Sequence, residues 1–591
     1  MPSLLLLLVA VSMILSGCGG NNAYSPEDGP ADLVVIHGKV QTVDDNSTEV
    51  EAVAIRDGIF VAVGSNRDVE RFIGSGTEVI DAEGRRVVPG LIESHVHATG
   101  AARREPIQRF VHLGSIAEMQ QWIRERASER AAGQWIQMPR ADVTRIDEGR
   151  LPRPAELSEA APDHPTVFIW QFANRQIQIL NGAAVEAAGI TAETRLPDGA
   201  RLELVEGGRA GAIIENAPAL TSDFLRQREV NQEEYLFSLE QLLSRYNEYG
   251  ITTIFERNSN PNGYRVLEDL KEQGRLPLRA IVTLGIFPDG TVEGAEETIG
   301  EIPLTYNEGD DRLRVGPLKI RIDGGILYGS AYMREPYGEQ ARDFYDFDDP
   351  GYRGTLLMTP EEIENTVRTG QRLGWQMTAH VTGDAGVDIF LDAVEAALQD
   401  KPGDHRHTLI HAYFSNEEAA ERAAELGVGI DTQPAWYFMD GDALIDVLGE
   451  ERLEQFIGLK TWQEAGVHIA LNSDHMQGID GDTSLNPYNP FLTMYAAITR
   501  KTERGSVFGP DQRISREDAL RMLTIEPAWL GFAEERSGSI EVGKLGDLAI
   551  LSDDLMTVDE EQIRHIRSVA TIVGGEVVYR SEQGPAVVMN P

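Results

Sequence analysis

Cysteine is nearly absent: 591 residues contain one, Cys18. An intramolecular disulfide is therefore impossible, and beyond position 18 the chain has no thiolate metal site and no cysteine nucleophile. Basic residues are scarce as well. Lys and Arg number 53 against 95 Asp and Glu, for a formal net charge of −42. That balance excludes nucleic acid as a partner class, because phosphate binding needs a basic footprint. The acidic residues are spread along the chain rather than gathered in a tail, which describes a solvated acidic surface. The apolar run over residues 4–15 is too short to span a bilayer. What remains, 41% hydrophobic and 25% charged, has the composition of an ordinary globular protein.

The N-terminal run fits the apolar region of a signal peptide, although no Lys or Arg precedes it. It ends in Leu15-Ser16-Gly17-Cys18. Small residues before a cysteine resemble the lipobox of bacterial lipoproteins. The resemblance implies a signal peptide over 1–18 and a lipidated Cys18 as the mature N-terminus. It also implies an exported protein of the bacterial cell envelope, periplasmic or at the cell surface, touching the membrane through its lipid anchor only. Residues 19–30, rich in Gly, Asn, Pro and acidic side chains, read as a tether.

Residues 33–36, 50–55 and 59–63 form short β-rich runs punctuated by Gly, Asp and Asn. Residues 547–551 and 569–579 repeat that texture at the other end of the chain. Each end alone is too small to bury its apolar face. The pattern therefore predicts one discontinuous β-sandwich domain built from 31–88 and 536–591. Between them, short apolar strands alternate with amphipathic helices such as 360–373 and 416–426, the signature of a parallel α/β sheet or barrel. Candidate strands are 167–170, 251–255, 280–284, 318–322, 376–380, 408–411, 428–431 and 468–474. The expected architecture is a (β/α)8 TIM barrel over 89–535, with an inserted subdomain around 130–250.

The chemistry starts at Val88-Pro89-Gly90-Leu91-Ile92-Glu93-Ser94-His95-Val96-His97. Alternate residues of a strand share a face, so His95 and His97 can aim at one ion, and neutral imidazole is a common zinc ligand. Three later residues close apolar strands: His380, His411 and Asp474. Lys319 lies within another, Leu318-Lys319-Ile320-Arg321-Ile322-Asp323-Gly324-Gly325. In a (β/α)8 barrel the C-terminal ends of the strands form the catalytic face.

This constellation resembles the metal-dependent amidohydrolase superfamily, and within it the amidohydrolase family 3 branch that includes N-substituted formamide deformylases. Four segments carry the likeness in order: the one ending in His97, Val315 through Gly324, Ala379-His380-Val381-Thr382-Gly383-Asp384-Ala385, and Leu471-Asn472-Ser473-Asp474. The tail Gly538-Ser539-Ile540-Glu541-Val542-Gly543-Lys544-Leu545-Gly546-Asp547 is similar to the family's return into its β-sandwich. The resemblance implies that His95 and His97 bind the more buried of two divalent ions, and His380 and His411 the second. Lys319 would be N6-carboxylated and bridge the pair. Asp474 would be both a metal ligand and the catalytic residue that takes a proton from a bridging hydroxide. Imidazole and carboxylate ligands suit zinc, with iron and manganese as alternatives. The implied reaction is hydrolysis of an amide- or formamide-like C–N bond in a small molecule. Alternatives at the same site are ester, lactone or phosphoester hydrolysis, decarboxylation, and a non-catalytic binding lipoprotein.

The chain departs from these relatives at three places. Phe172-Ala173-Asn174-Arg175 replaces an Asp-Gly-His motif, Ile410 replaces a Glu, and Phe255-Glu256 replaces a His-Asp pair. None removes an expected ligand, so they bear on substrate choice rather than reaction class. Of the other histidines, 37, 112, 164, 405, 468 and 565 read as surface or packing residues, while His475 stands beside Asp474, where it can face the mouth of the site. Tyr328 and Tyr337 follow the Lys319 strand on a loop that overhangs it. The N-terminal reading has a direct test. Mass spectrometry of protein from the membrane fraction should find Cys18 as a diacylglycerol-modified first residue; an unmodified or missing Cys18 would leave a simple secreted protein.

Overall fold

The computed structural model describes residues 24–172, 175–225 and 228–590. Cys18, the expected signal segment and part of the expected tether lie outside the described residues, as do Ala173 and Asn174 of the departing motif. Among the described residues, no helix is long and apolar enough to cross a membrane.

Eight parallel strands form the central sheet, in unbroken sequence order. They are β1 (Leu91–Val96), β2 (Ile251–Ser259), β3 (Arg279–Gly285), β4 (Leu313–Arg321), β5 (Met377–Val381), β6 (Thr408–His411), β7 (Gly429–Thr432) and β8 (Ile469–Leu471). The ring closes after β8. Val96 forms a parallel bridge with His475, and the His97 N–H donates to the His475 carbonyl at 2.9 Å. This is the expected (β/α)8 barrel. The helix spans follow local chemistry. Helix Pro360–Arg372 opens with proline at its first position and a capping box between Thr359 and Glu362. Asn416 caps Glu417–Glu425.

Both chain ends build two further sheets, packed face to face. One has the order Val587–Met589, Glu78–Asp81, Leu33–Ile36, Ala52–Arg56, Ile59–Gly64. The other runs Glu576–Arg580, Ser568–Val573, Leu548–Leu551, Arg86–Pro89, Lys39–Gln41, Glu49–Val50. Val35, Val53, Phe60, Leu548 and Ile572 share one buried cluster, so neither end completes this core alone. Gly90 explains the Pro-Gly pair that joins sandwich to barrel. A Cβ there would stand 2.1 Å from the Thr252 hydroxyl oxygen, so only glycine lets β1 approach β2 at that point.

One expected barrel strand belongs elsewhere. Residues 167–170 fall in Thr166–Phe172, which pairs with Arg175–Leu180 in a separate five-stranded sheet with Ile136–Gln137, Gly211–Glu215 and Arg201–Val205. An apolar run bounded by turns has the same appearance in a barrel or in an antiparallel sheet. This sheet supplies Gln137, Ile169 and Gln171 to the wall of the central cavity, so it forms part of the chamber above the barrel's catalytic end.

Candidate active site

A cavity of about 790 Å³ opens at the C-terminal ends of the barrel strands, and all six sequence-selected residues line it. The structure brings three of them into one tight group. The ligand atoms of His95, His97 and Asp474 all lie within 4.8 Å of one another. Asp474 Oδ1 is 3.3 Å from His95 Nε2 and 3.2 Å from His97 Nε2. Lys319 Nζ stands 3.1 Å from His95 Nε2. His411 and His380 sit across the cavity floor, with ring centroids 4.6 Å apart and His411 5.5 Å from His95.

These positions follow from the strands. His95 is the fifth residue of β1 and is fully buried; His97 follows the strand and serves as N-cap of helix Ala98–Arg104. Lys319 points inward from β4. His411 and Asp474 adopt left-handed backbone, with φ of +77° and +53°. Neither is glycine, and such backbone costs about 1–3 kcal/mol, so the surrounding contacts must hold it.

Burial sets the charge states. It holds His95 well below the ordinary imidazole value, and Lys319, His97 and His411 beside it add to the effect. His380 is lowered in the same way, by burial and then by His411 and Arg321. Burial also takes His411 down to about 4. All three are thus neutral at pH 7, the form that can ligate a metal. Burial brings Lys319 down to about 7, against the pull of Asp474. For Asp474 burial acts upward, but His97, His411 and Lys319 hold the carboxyl below its usual range, and it is ionised.

The donor set fits a divalent ion. Asp474 Oδ1 is buried and has no hydrogen-bond partner, although two imidazole nitrogens face it. A buried anionic oxygen in that position calls for a cation. Ligands about 2.0–2.1 Å from a tetrahedral zinc are about 3.3 Å from one another, close to the separations here. Two of the outer ring nitrogens, those of His411 and His380, are also held as ligating histidines usually are, whereas His95 Nδ1 is buried without a partner. His411 Nδ1 is 2.7 Å from Gln433 Oε1, with the Tyr413 hydroxyl at 3.2 Å. His380 Nε2 donates to the Gly324 carbonyl at 3.0 Å.

Several supporting residues escaped the sequence reading. Glu93 Oε1 accepts from the N–H groups of His95 and Ser473, tying β1 to the loop that carries Asp474, and burial pushes its carboxyl up to about 8. Asp323 accepts from the N–H groups of Tyr332, Thr382 and Gly383 at 2.8–2.9 Å and lies 3.9 Å from His380 Nε2. Both acids sit inside the segments that carried the resemblance, where a buried carboxylate needing partners was the available signal. Glu256, noted only as a departure, accepts from the N–H groups of Ala98 and Thr99 and from the Thr99 hydroxyl. Its charge therefore lies at the N-terminus of the helix that His97 opens. Beneath the site, Arg257 donates to Asp431 at 2.8 Å, both fully buried. Asp431 also accepts from Ser94 at 2.5 Å and Asn472 at 2.6 Å, and Asn472 accepts from Gln433 at 2.7 Å. A continuous polar chain thus runs from Arg257 to His411.

His475 does not face the cavity. Its ring is held by the Tyr246 hydroxyl at 2.7 Å and the Gly478 carbonyl at 3.0 Å. Tyr328 lines the cavity, whereas Tyr337 is packed among Tyr345, Phe347 and Tyr352.

Residues 78–579 match the amidohydrolase family. The chain is 26% identical over 556 residues to N-substituted formamide deformylase of Arthrobacter pascens, covering 93% of this chain and 98% of that one. It is also 26% identical to Protein LONG AFTER FAR-RED 3 of Arabidopsis thaliana, covering 93% and 92%. Among solved structures, an uncharacterized metal-dependent hydrolase from Pyrococcus horikoshii shares the fold, with a TM-score of 0.66 at 21% identity over 90% of this chain and 99% of that one.

The buried Arg257–Asp431 pair makes the floor of the site testable. Asp431→Asn leaves the Arg257 charge buried without its counter-ion and should destabilise the fold by about 3–5 kcal/mol. The Arg257→Met, Asp431→Leu double variant should lose much less than the sum of the single variants, as read by denaturation midpoints. Additive losses would show that the two charges act independently.

Proposed function

Because the chain belongs to the amidohydrolase family, we propose that it is a metal-dependent hydrolase of amide- or formamide-like C–N bonds in small molecules. The observation that carries this reading is the buried convergence of His95, His97 and Asp474 at the catalytic end of the barrel, with Lys319 beside them. Two divalent ions, zinc by ligand type, would be held by His95, His97 and Asp474 on one side and by His380 and His411 on the other. Lys319 would bridge them as its N6-carbamate. A buried amine brought down to about 7 is about half unprotonated at neutrality, and the neutral amine is the form that reacts with carbon dioxide. The relation to a formamide deformylase supports the choice of bond.

When bound, such ions polarise the scissile carbonyl and bring the pKa of a water molecule toward neutrality. The chain's own residues do the rest. Asp474, ionised and held at the cavity wall, accepts the proton of the attacking water and returns it to the departing nitrogen. Neutral His95, His380 and His411 keep their lone pairs for ligation because burial suppresses protonation. Trp436, Leu327 and Ile169 narrow the chamber and limit water around the reacting bond. The lipobox-like segment adds an enzyme exported to the cell envelope and held there through Cys18.

The test is a panel of amides, formamides, esters and lactones given to the zinc-loaded protein, to the chelated protein and to Asp474→Asn. Cleavage of a C–N bond should disappear on chelation and return with zinc. The amide is nearly isosteric with the carboxylate but cannot take the proton. In Asp474→Asn, kcat should therefore fall by about 10²–10⁴-fold, with metal content measured alongside. Near wild-type kcat with metal retained would remove Asp474 from the mechanism. Cleavage of esters or lactones alone would move the activity to another bond.

A further inference from the structure

We propose that the substrate of this cavity carries a carboxylate several bonds from the scissile amide, received by Arg104 and Arg140. The inference rests on the amide-hydrolase reading of the same cavity and adds the chemical class of what it cuts.

The first observation is a reversal of charge. The chain as a whole has 42 more acidic than basic charges. The cavity wall nevertheless carries Arg104, Arg140 and Arg321 together with Lys319, against two carboxylates, Asp142 and Asp474. Asp474 is committed to the histidine cluster. An anionic molecule approaching this protein is repelled by most of its surface, so a locally cationic chamber favours an anion only where the arginines stand.

The second observation is how the two arginines are held. Arg140 lies 3.5 Å from Asp142, donates to the Tyr328 hydroxyl and stacks 5.7 Å from the Tyr328 ring. Tyr328 in turn donates to Asp142 at 2.8 Å. The Arg140 fork is therefore fixed before any ligand arrives, which reduces the ordering cost of binding. Asp142 does not neutralise the pair, because it also lies in the field of Arg145. Arg104 is different. Its side chain makes no ion pair or hydrogen bond with another described residue, and it remains solvent-accessible at the wall. Its guanidinium is held below its ordinary value, by burial and then by the like charge of Arg140. Two guanidinium groups line one chamber, one anchored and one without a counter-ion, and either fork can meet a carboxylate bidentately.

The position sets the spacing. Arg104 closes the helix that begins after His97. At 1.5 Å rise per residue its Cα lies about 10 Å from that of His97. A carboxylate separated from the scissile group by several methylenes spans that interval, less the length of the Arg104 side chain.

The test is a molecular ruler. The zinc-loaded full chain is given the N-acetyl derivatives of glycine, 4-aminobutyrate, 6-aminohexanoate and 8-aminooctanoate. Each is matched with the N-alkyl acetamide that lacks the carboxylate. Binding is read by calorimetry and hydrolysis by kcat/KM. At one or more of the longer spacings the acid should bind at least about tenfold more tightly than its neutral partner, the effect of one charge-assisted hydrogen bond. Arg104→Gln should erase that difference, and added salt should shrink it. Equal binding of acids and neutral partners at every spacing, no binding by any acid, or an acid preference that survives Arg104→Gln would overturn the proposal. Amide hydrolysis without acid preference would leave the amide-hydrolase reading standing and remove this inference. Arg104-dependent acid binding without cleavage of any amide would do the reverse.

Discussion

Asp474 places a carboxylate oxygen 3.2 and 3.3 Å from two imidazole nitrogens, and the barrel closes around that contact. One seam accounts for both facts. β8 ends at Leu471, the chain turns through left-handed backbone at Asp474, and His475 bridges to Val96, between His95 and His97. Glu93 fastens the same seam from below through the N–H groups of His95 and Ser473. Closure of the sheet and assembly of the candidate metal site are therefore one structural event. A change that opened the β1–β8 junction would move Asp474 away from its partners.

Burial is the second constraint, and on His95, His380, His411, Lys319 and Asp474 it acts against charge. It keeps three histidines neutral and brings Lys319 to about 7. Asp474 alone stays ionised against this pressure, because cationic and polar neighbours surround it. The barrel floor tolerates further charges only as satisfied groups. Arg257 and Asp431 lie fully buried, and Ser94, Asn472 and Gln433 extend their bonds to His411. Such a network is stable only when each member is partnered, so it fixes the strand ends that carry the histidines.

Much of this was legible in the sequence, for physical reasons. Strand-terminal His, Asp and Lys residues stand out because ionisable groups rarely interrupt apolar strands without a function. The two β-rich ends were readable because neither could bury its own apolar face, and the structure joins them in a shared core. Other features could not be read. Residues 167–170 looked like a barrel strand, since short apolar runs do not reveal their sheet. The ring of His475 is turned away by Tyr246, from a distant segment of the chain, and by the nearby Gly478 carbonyl, so adjacency to Asp474 gave the wrong impression of its direction. The chain Arg257–Asp431–Asn472–Gln433 depends on contacts between residues up to 174 positions apart, which no local pattern encodes. The supporting acids Glu93, Asp323 and Glu256 lay within segments already singled out, but their role appears only when their N–H donors are in view.

The central claim is that His95, His97 and Asp474 hold a divalent ion at the closing seam of the barrel. Anomalous X-ray diffraction at the zinc edge, from crystals of the full chain grown with zinc, tests it most directly. The account predicts a strong peak within about 2.0–2.2 Å of both histidine Nε2 atoms and an Asp474 oxygen. An absent peak at that seam, or zinc bound only elsewhere, would contradict it.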